Sequence, residues 1–179
     1  MNRTLYTPLE VSDIIEKLEY DGKKKLTVVQ ASGCFDLLHP GHVVSLQYSA
    51  SLGDLLVVSL NGDRRVQELK NRATLTLRER AIVISALRCV DYVTWFDEDL
   101  PSDVIRILKP DIYVKGSDYK DKAIPEEDAV NYHGGRKFSE PLFGTHGEGG
   151  VVRLVPDHIT IPMSSTDVLN RIKGIDPEE

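Results

Sequence analysis

The sequence has little cysteine, no long apolar run and no excess of positive charge. Two cysteines, Cys34 and Cys89, occur in 179 residues. That is too few for a disulfide framework or a zinc-type cluster, and it fits a reducing compartment. No stretch approaches the roughly 20 apolar residues that span a bilayer. The opening MNRTLYTPLEVSDIIEKLEY holds no apolar core of the signal-peptide kind. A cytoplasmic protein with no membrane partner is therefore expected. With 22 basic against 28 acidic side chains the net charge is −6, which argues against a nucleic-acid partner. No metal site is expected either, because His133 and His146 stand among glycines without a third ligand at metal spacing.

What is present is an ordinary globular composition, 41% hydrophobic and 28% charged, so a packed core is within reach. The length predicts one domain over residues 1–179 with room for additions. These are a helical extension over 1–25 and an insertion or long loop over 118–150. Helical spacing of Val11, Ile14, Ile15 and Leu18 predicts a leading helix over Pro8–Tyr20. Continuous apolar runs predict strands at Leu26–Ala31, Leu55–Leu60, Asp91–Phe96, Asp111–Lys115 and Val151–Val155. Helices are predicted after the first strand, with Gly53 closing the helix, and over Leu77–Arg88, Ser102–Leu108 and Ser164–Lys173. Thr76 with Glu79, and Ser164 with Asp167, have the spacing of a capping box. Strands alternating with helices predict an α/β fold: a Rossmann-like, doubly wound parallel five-stranded sheet with helices on both faces.

The most informative segment is GCFDLLHPGH, Gly33 to His42, where the first strand passes into its helix. Ligands of open α/β sheets bind at such carboxyl-end crevices. A small Gly33 lets a phosphate approach the backbone, and the helix start favours negative charge. His39 and His42, separated by Pro40 and Gly41, can both donate hydrogen bonds to phosphoryl oxygens there. A second feature is charge: residues 64 to 80 hold six basic and two acidic side chains, a local +4. The rest of the chain therefore carries −10, an acidic body beside one basic segment. Arg64 and Glu68 also stand at ion-pair spacing on a helix.

GCFDLLHPGH resembles the H-x-G-H signature of the cytidylyltransferase-like nucleotidyltransferases. LGDLLVVSLNGD, LRERAIVISALRCVDYV, LKPDIYVKGSDY and SSTDVLNRI follow in the order found in the ADP-heptose synthase nucleotidyltransferase domain. Glycerol-3-phosphate cytidylyltransferase is similar but less close. The resemblance implies that His39 and His42 contact the triphosphate, with Lys70 and Arg80 as further catalytic residues reaching phosphates. Cys34 and Phe35, with Gly33 and Gly41, are implied to line the phosphate and sugar side, and Asp36 to position the loop. Gly116 and Asp118 are implied to border base and ribose, and Ser164, Ser165 and Thr166 to hold phosphate at the last helix start. The chain departs from the heptose-type pattern at Ala31-Ser32, Asn71–Leu77 and Met163–Thr166, and in a longer stretch from Ala123 to Gly149.

The implied reaction joins an NTP to a phosphorylated small-molecule acceptor, with Mg²⁺ accompanying the NTP and pyrophosphate leaving. ATP with a sugar phosphate such as heptose 1-phosphate is the first expectation; CTP with a polyol or alcohol phosphate is the alternative. A non-catalytic nucleotide-binding domain is a reading from another class. A class I aminoacyl-tRNA synthetase fragment fits H-x-G-H superficially, but the chain is short and acidic for that task. A homo-oligomer, in the simplest case a dimer through the leading helix, is also expected.

Overall fold

The computed structural model describes residues 4–70, 75–121, 123–131 and 150–173, with Lys70, Asp118 and Asn131 in backbone only. Strands form where the β-branched runs predict them: β1 (Val28–Gly33), β2 (Leu55–Asn61), β3 (Tyr92–Phe96), β4 (Ile112–Lys115) and β5 (Val151–Leu154). All neighbours pair in parallel, in the order β3-β2-β1-β4-β5. The predicted α/β architecture is thus borne out. The order reverses between β1 and β4, so a crevice opens at their carboxyl ends.

The strand starts have a shared chemistry. Asp54, Asp91 and Asp111 each stand just before a strand and accept a backbone N–H from the neighbouring chain start. The pairs are Thr27 to Asp54 at 2.8 Å, Leu56 to Asp91 at 2.8 Å and Val28 to Asp111 at 2.9 Å. Thr27 is therefore engaged with a side chain, and β1 begins at Val28 rather than at the predicted Leu26.

The helices are α1 (Pro8–Gly22), α2 (Pro40–Ala50), α3 (Asp63–Lys70), α4 (Leu77–Ser85), α5 (Ser102–Leu108), α6 (Glu127–Asn131) and α7 (Ser165–Lys173). Thr7 with Glu10 and Thr76 with Glu79 form capping boxes at α1 and α4. Ser164 and Asp167 exchange the same pair of bonds at α7, 2.6 Å and 3.2 Å. α2 ends at Ala50 with Ser51 in the right-handed region, so Gly53 is not its left-handed cap. Gly53 is needed for contact: a Cβ there lies 2.6 Å from the Thr27 carbonyl and from Val29 Cγ2.

Strand alternation splits the core into two layers. One face carries Val29, Ala31, Leu56, Val58, Leu60, Val93 and Val114, packed with Leu46 of α2 and Ala81 and Ile84 of α4. The other carries Val28, Val57 and Phe96 under Val11 and Ile15 of α1 and Val104 and Leu108 of α5. α1 therefore buries Val11 and Ile15 against its own sheet, while Leu9, Leu18 and Tyr20 stay exposed. On this second face the apolar rows give way to buried Gln30, Ser59 and Thr94, with Gln30 Nε2 donating to Ser59 Oγ at 2.8 Å. Polarity thus rises toward the carboxyl ends of the strands.

Candidate active site

The loop from β1 into α2 is held in an unusual conformation. Phe35 has φ of 45°, the left-handed region that side chains disfavour. Its ring folds back over Gly33, where a Cβ sits 3.0 Å from Phe35 Cε2. Gly33 thus leaves room for the Phe35 ring, and it also lines the larger of the two cavities at this site. The same ring tilts against His42, 5.1 Å between centroids. His39 is the N-cap of α2 and is 7% exposed. Its ring stacks on His42 with centroids 3.7 Å apart. Gly41 permits that stack, since a Cβ there lies 3.1 Å from the His39 ring and 3.0 Å from the Ile161 carbonyl. The structure therefore brings the two histidines together at the start of α2, beside the helix's free N–H groups.

Arg80 does not stand in the open crevice. It is fully buried, and its donors go to the Cys34 carbonyl at 2.8 Å, the Asn61 carbonyl at 2.7 Å, the Leu75 carbonyl at 3.3 Å and Asp63 Oδ1 at 2.7 Å. This guanidinium ties together the loop after β1, the end of β2, the start of α3 and the entry to α4. Asp36, 2% exposed, accepts from the Leu75 amide at 2.9 Å, which ties the loop after β1 to the segment before α4. The Lys70 and Asp118 side chains, His133 and His146 lie outside the described residues, as does most of the 118–150 stretch.

Two cavities meet at this point. One, about 450 Å³, is lined by His39, Gly41, His42, Ser45, Gly116, Ser117 and the segment Thr160 to Ser165. The other, about 480 Å³, is lined by Ser32 to Phe35, His42, Ser45, Asn61, Arg65, Asp99, Lys115, Gly116, Tyr119 and Glu126, among others. His42, Ser45 and Gly116 border both. Ser164 and Ser165 reach the first cavity, while Thr166 does not line it and is exposed. Ser165 Oγ donates to the Leu37 carbonyl at 3.3 Å. The Ser164 hydroxyl, through its side-chain hydrogen bond to Asp167, holds that carboxyl below its ordinary value, with the Ser164 amide adding to the effect.

Three of the basic segment's described side chains, Arg64, Arg65 and Arg80, have acidic partners. Arg64 meets Glu68 at 2.6 Å, and Arg65 meets Glu68 at 3.3 Å and Asp99 at 3.6 Å. Arg65 nevertheless lines the larger cavity. Sequence reasoning missed Lys115, Tyr119 and Glu126. Lys115 was within reach, because it ends a predicted strand on the ligand side of the sheet. Glu126 carries no local signal; it joins the site through the packing of α6.

Residues 31–171 match the model of the cytidylyltransferase-like family. The chain belongs to this family. It is 48% identical over 121 residues to the bifunctional protein HldE of Syntrophotalea carbinolica, covering 66% of this chain and 25% of that protein. With HldE of Gluconobacter oxydans the identity is 50% over 129 residues, 71% and 26% of the two chains. The chain thus spans about a quarter of the length of these relatives. A lipopolysaccharide core biosynthesis protein from Thermoplasma volcanium superposes with a TM-score of 0.52 at 30% identity, over 60% of this chain and 85% of that one. Pantoate-beta-alanine ligase from Francisella tularensis shares the fold at 13% identity, with a TM-score of 0.55 over 94% and 76%. Membership of this family agrees with the resemblance carried by GCFDLLHPGH. No helix among the described residues is long and apolar enough to cross a membrane.

Proposed function

We propose that this chain transfers a nucleotidyl group from ATP to the phosphate of a sugar phosphate, heptose 1-phosphate being the reference acceptor, and releases pyrophosphate. The observation that carries the reading is the junction of the two cavities at His42 and Gly116, beside the stacked His39. The NTP occupies the cavity between α2 and the start of α7, and the acceptor the cavity over the carboxyl ends of β1 and β4. An oxygen of the acceptor phosphate forms a bond to the α-phosphorus. The bond from that phosphorus to the oxygen bridging to the β-phosphate breaks, and pyrophosphate leaves with the electron pair. The acceptor phosphate is already a nucleophile, so no strong general base is required. His39 and His42 act by hydrogen bonding to the charge that develops on phosphoryl oxygens, and the paired cavities supply orientation.

Arg80 acts in this reading as a positioning residue that braces Cys34 and Asn61, not as a ligand of phosphate. Among the described residues no cluster of three or more His, Cys, Asp or Glu side chains is arranged to hold an ion. Mg²⁺ in this reading is carried on the triphosphate oxygens and its own waters. The ion then enters as part of the NTP substrate and offsets triphosphate charge. Cytoplasmic residence and a small-molecule partnership without nucleic acid accompany this reading.

The test is a pyrophosphate-release screen crossing four NTPs with a panel of sugar and polyol phosphates. ATP with a heptose or similar sugar phosphate is expected to give the highest rate. CTP with a polyol phosphate in first place moves the assignment to the alternative. Nucleotide binding in calorimetry without pyrophosphate release across the panel sinks the catalytic reading.

A further inference from the structure

The larger cavity holds a buried ion pair that nucleotidyl transfer does not use. Lys115 Nζ lies 2.8 Å from Glu126 Oε1, with the two side chains only 10% and 5% exposed. Lys115 also sits 4.1 Å from the centre of the Tyr119 ring, and the Tyr113 hydroxyl reaches Glu126 Oε1 at 3.4 Å. Both members of the pair line the cavity. Glu126 Oε2 is buried and has no hydrogen-bonding partner among the described residues.

Such a pair is a poor choice for stability alone, because desolvation consumes most of its attraction and an apolar pair fills the space as well. An ionised carboxylate oxygen without a donor is more costly still. Because Glu126 lines a cavity of about 480 Å³, a molecule bound there can supply the donor that Oε2 lacks among the described residues. Charge narrows its class. A second phosphate or a carboxylate is repelled by Glu126, whereas a neutral hydroxyl donates to Oε2. A neighbouring hydroxyl can in turn accept from Lys115. The pair therefore matches two adjacent hydroxyls, one donating and one accepting.

The geometry points to Lys115 and Glu126 as the specificity-determining pair for the acceptor: they read a vicinal diol on the uncharged body of a sugar or polyol phosphate. The inference rests on the nucleotidyl-transfer reading above and deepens it. Glu126 belongs to the Ala123–Gly149 stretch, in which the chain departs from the heptose-type pattern. Acceptor choice thus sits on a part of the chain that is free to differ from its relatives.

The test uses the full chain with its best NTP and acceptor pair from the screen. Glu126→Gln keeps the shape and the bond to Lys115 but weakens acceptance of a hydroxyl. It is expected to raise the acceptor KM by about 10- to 100-fold, while the NTP KM stays within about twofold. A deoxy acceptor lacking the recognised hydroxyl is expected to treat wild type and variant alike. A Lys115→Met, Glu126→Leu double variant removes the pair without stranding a charge, and it is expected to fold and to lose acceptor discrimination. An unchanged acceptor KM in Glu126→Gln overturns the inference while nucleotidyl transfer stands. Equal rises in both KM values with a lowered melting temperature overturn it too, by making the pair merely structural. Wild-type protein that releases no pyrophosphate with any pair overturns the functional reading, and this inference with it.

Discussion

Replacing Arg80 separates two roles that its place in the sequence leaves undivided. A phosphate-reaching arginine contributes to substrate binding and little to stability; a buried brace does the reverse. Arg80→Met strands the Cys34 and Asn61 carbonyls, whose bonds are 2.8 Å and 2.7 Å. A buried acceptor left without its donor costs about 1–2 kcal/mol. The Leu75 bond is longer, at 3.3 Å, and adds less. Asp63 is half exposed, so its ion pair is solvent-screened and contributes little. The sum is about 3 kcal/mol, a large part of the roughly 5–15 kcal/mol that holds a domain of this size. At about 2–4 °C per kcal/mol, the melting temperature is expected to fall by about 10 °C. Circular dichroism melts and urea titration measure this directly. Arg80→Lys restores the charge but not the fork of donors, and it is expected to recover little of the loss. A variant that melts within about 2 °C of wild type while its NTP KM rises steeply refutes the bracing argument.

Three further outcomes follow from the same structure. His42→Ala is expected to lower kcat by about 10²- to 10³-fold with little change in melting temperature, since the ring is only half-buried; near-wild-type turnover contradicts its role. Gly53→Ala places a methyl group 2.6 Å from the Thr27 carbonyl and Val29 Cγ2, and equilibrium unfolding is expected to show a loss of about 1–3 kcal/mol. Asp54, Glu79 and Asp167 all sit below their ordinary values of 3.8, 4.5 and 3.8, held there by hydrogen bonds from Thr27, Thr76 and Ser164. Because folding lowers these pKa values, their stabilisation is complete above about pH 5 and is lost as pH falls through the 4.5–3.8 range and below. Melting temperatures measured from pH 7 to 3 are expected to stay level and then drop, and Asp54→Asn is expected to make the drop shallower.

The sheet was legible because its information is local. Runs such as LLVVSL and DIYVK state both strand and burial, and Thr76 with Glu79 states a helix start within four residues. α3 escaped a strand-and-helix reading because Val66 is its one buried apolar side chain among charged neighbours. The glycines were harder. Gly53 looks like a helix cap but makes room for the Thr27 carbonyl, 26 residues away. Gly33 leaves room for the Phe35 ring of its own loop, which its position in the sequence does not announce. Arg80 is similar: its match to a phosphate arginine concerns position in the sequence, whereas its partners Cys34 and Asn61 are 46 and 19 residues away. Glu126 depends wholly on how α6 packs beside β4, and nothing within its own segment marks it.

The central claim is that an acceptor phosphate attacks the α-phosphorus at the junction beside His42. The direct measurement places ¹⁸O in the phosphate of the acceptor and follows the products by mass spectrometry. The account predicts that all label stays in the NDP-linked product, with unlabelled pyrophosphate released in equal amount. Label in the pyrophosphate, or orthophosphate in place of pyrophosphate, contradicts it.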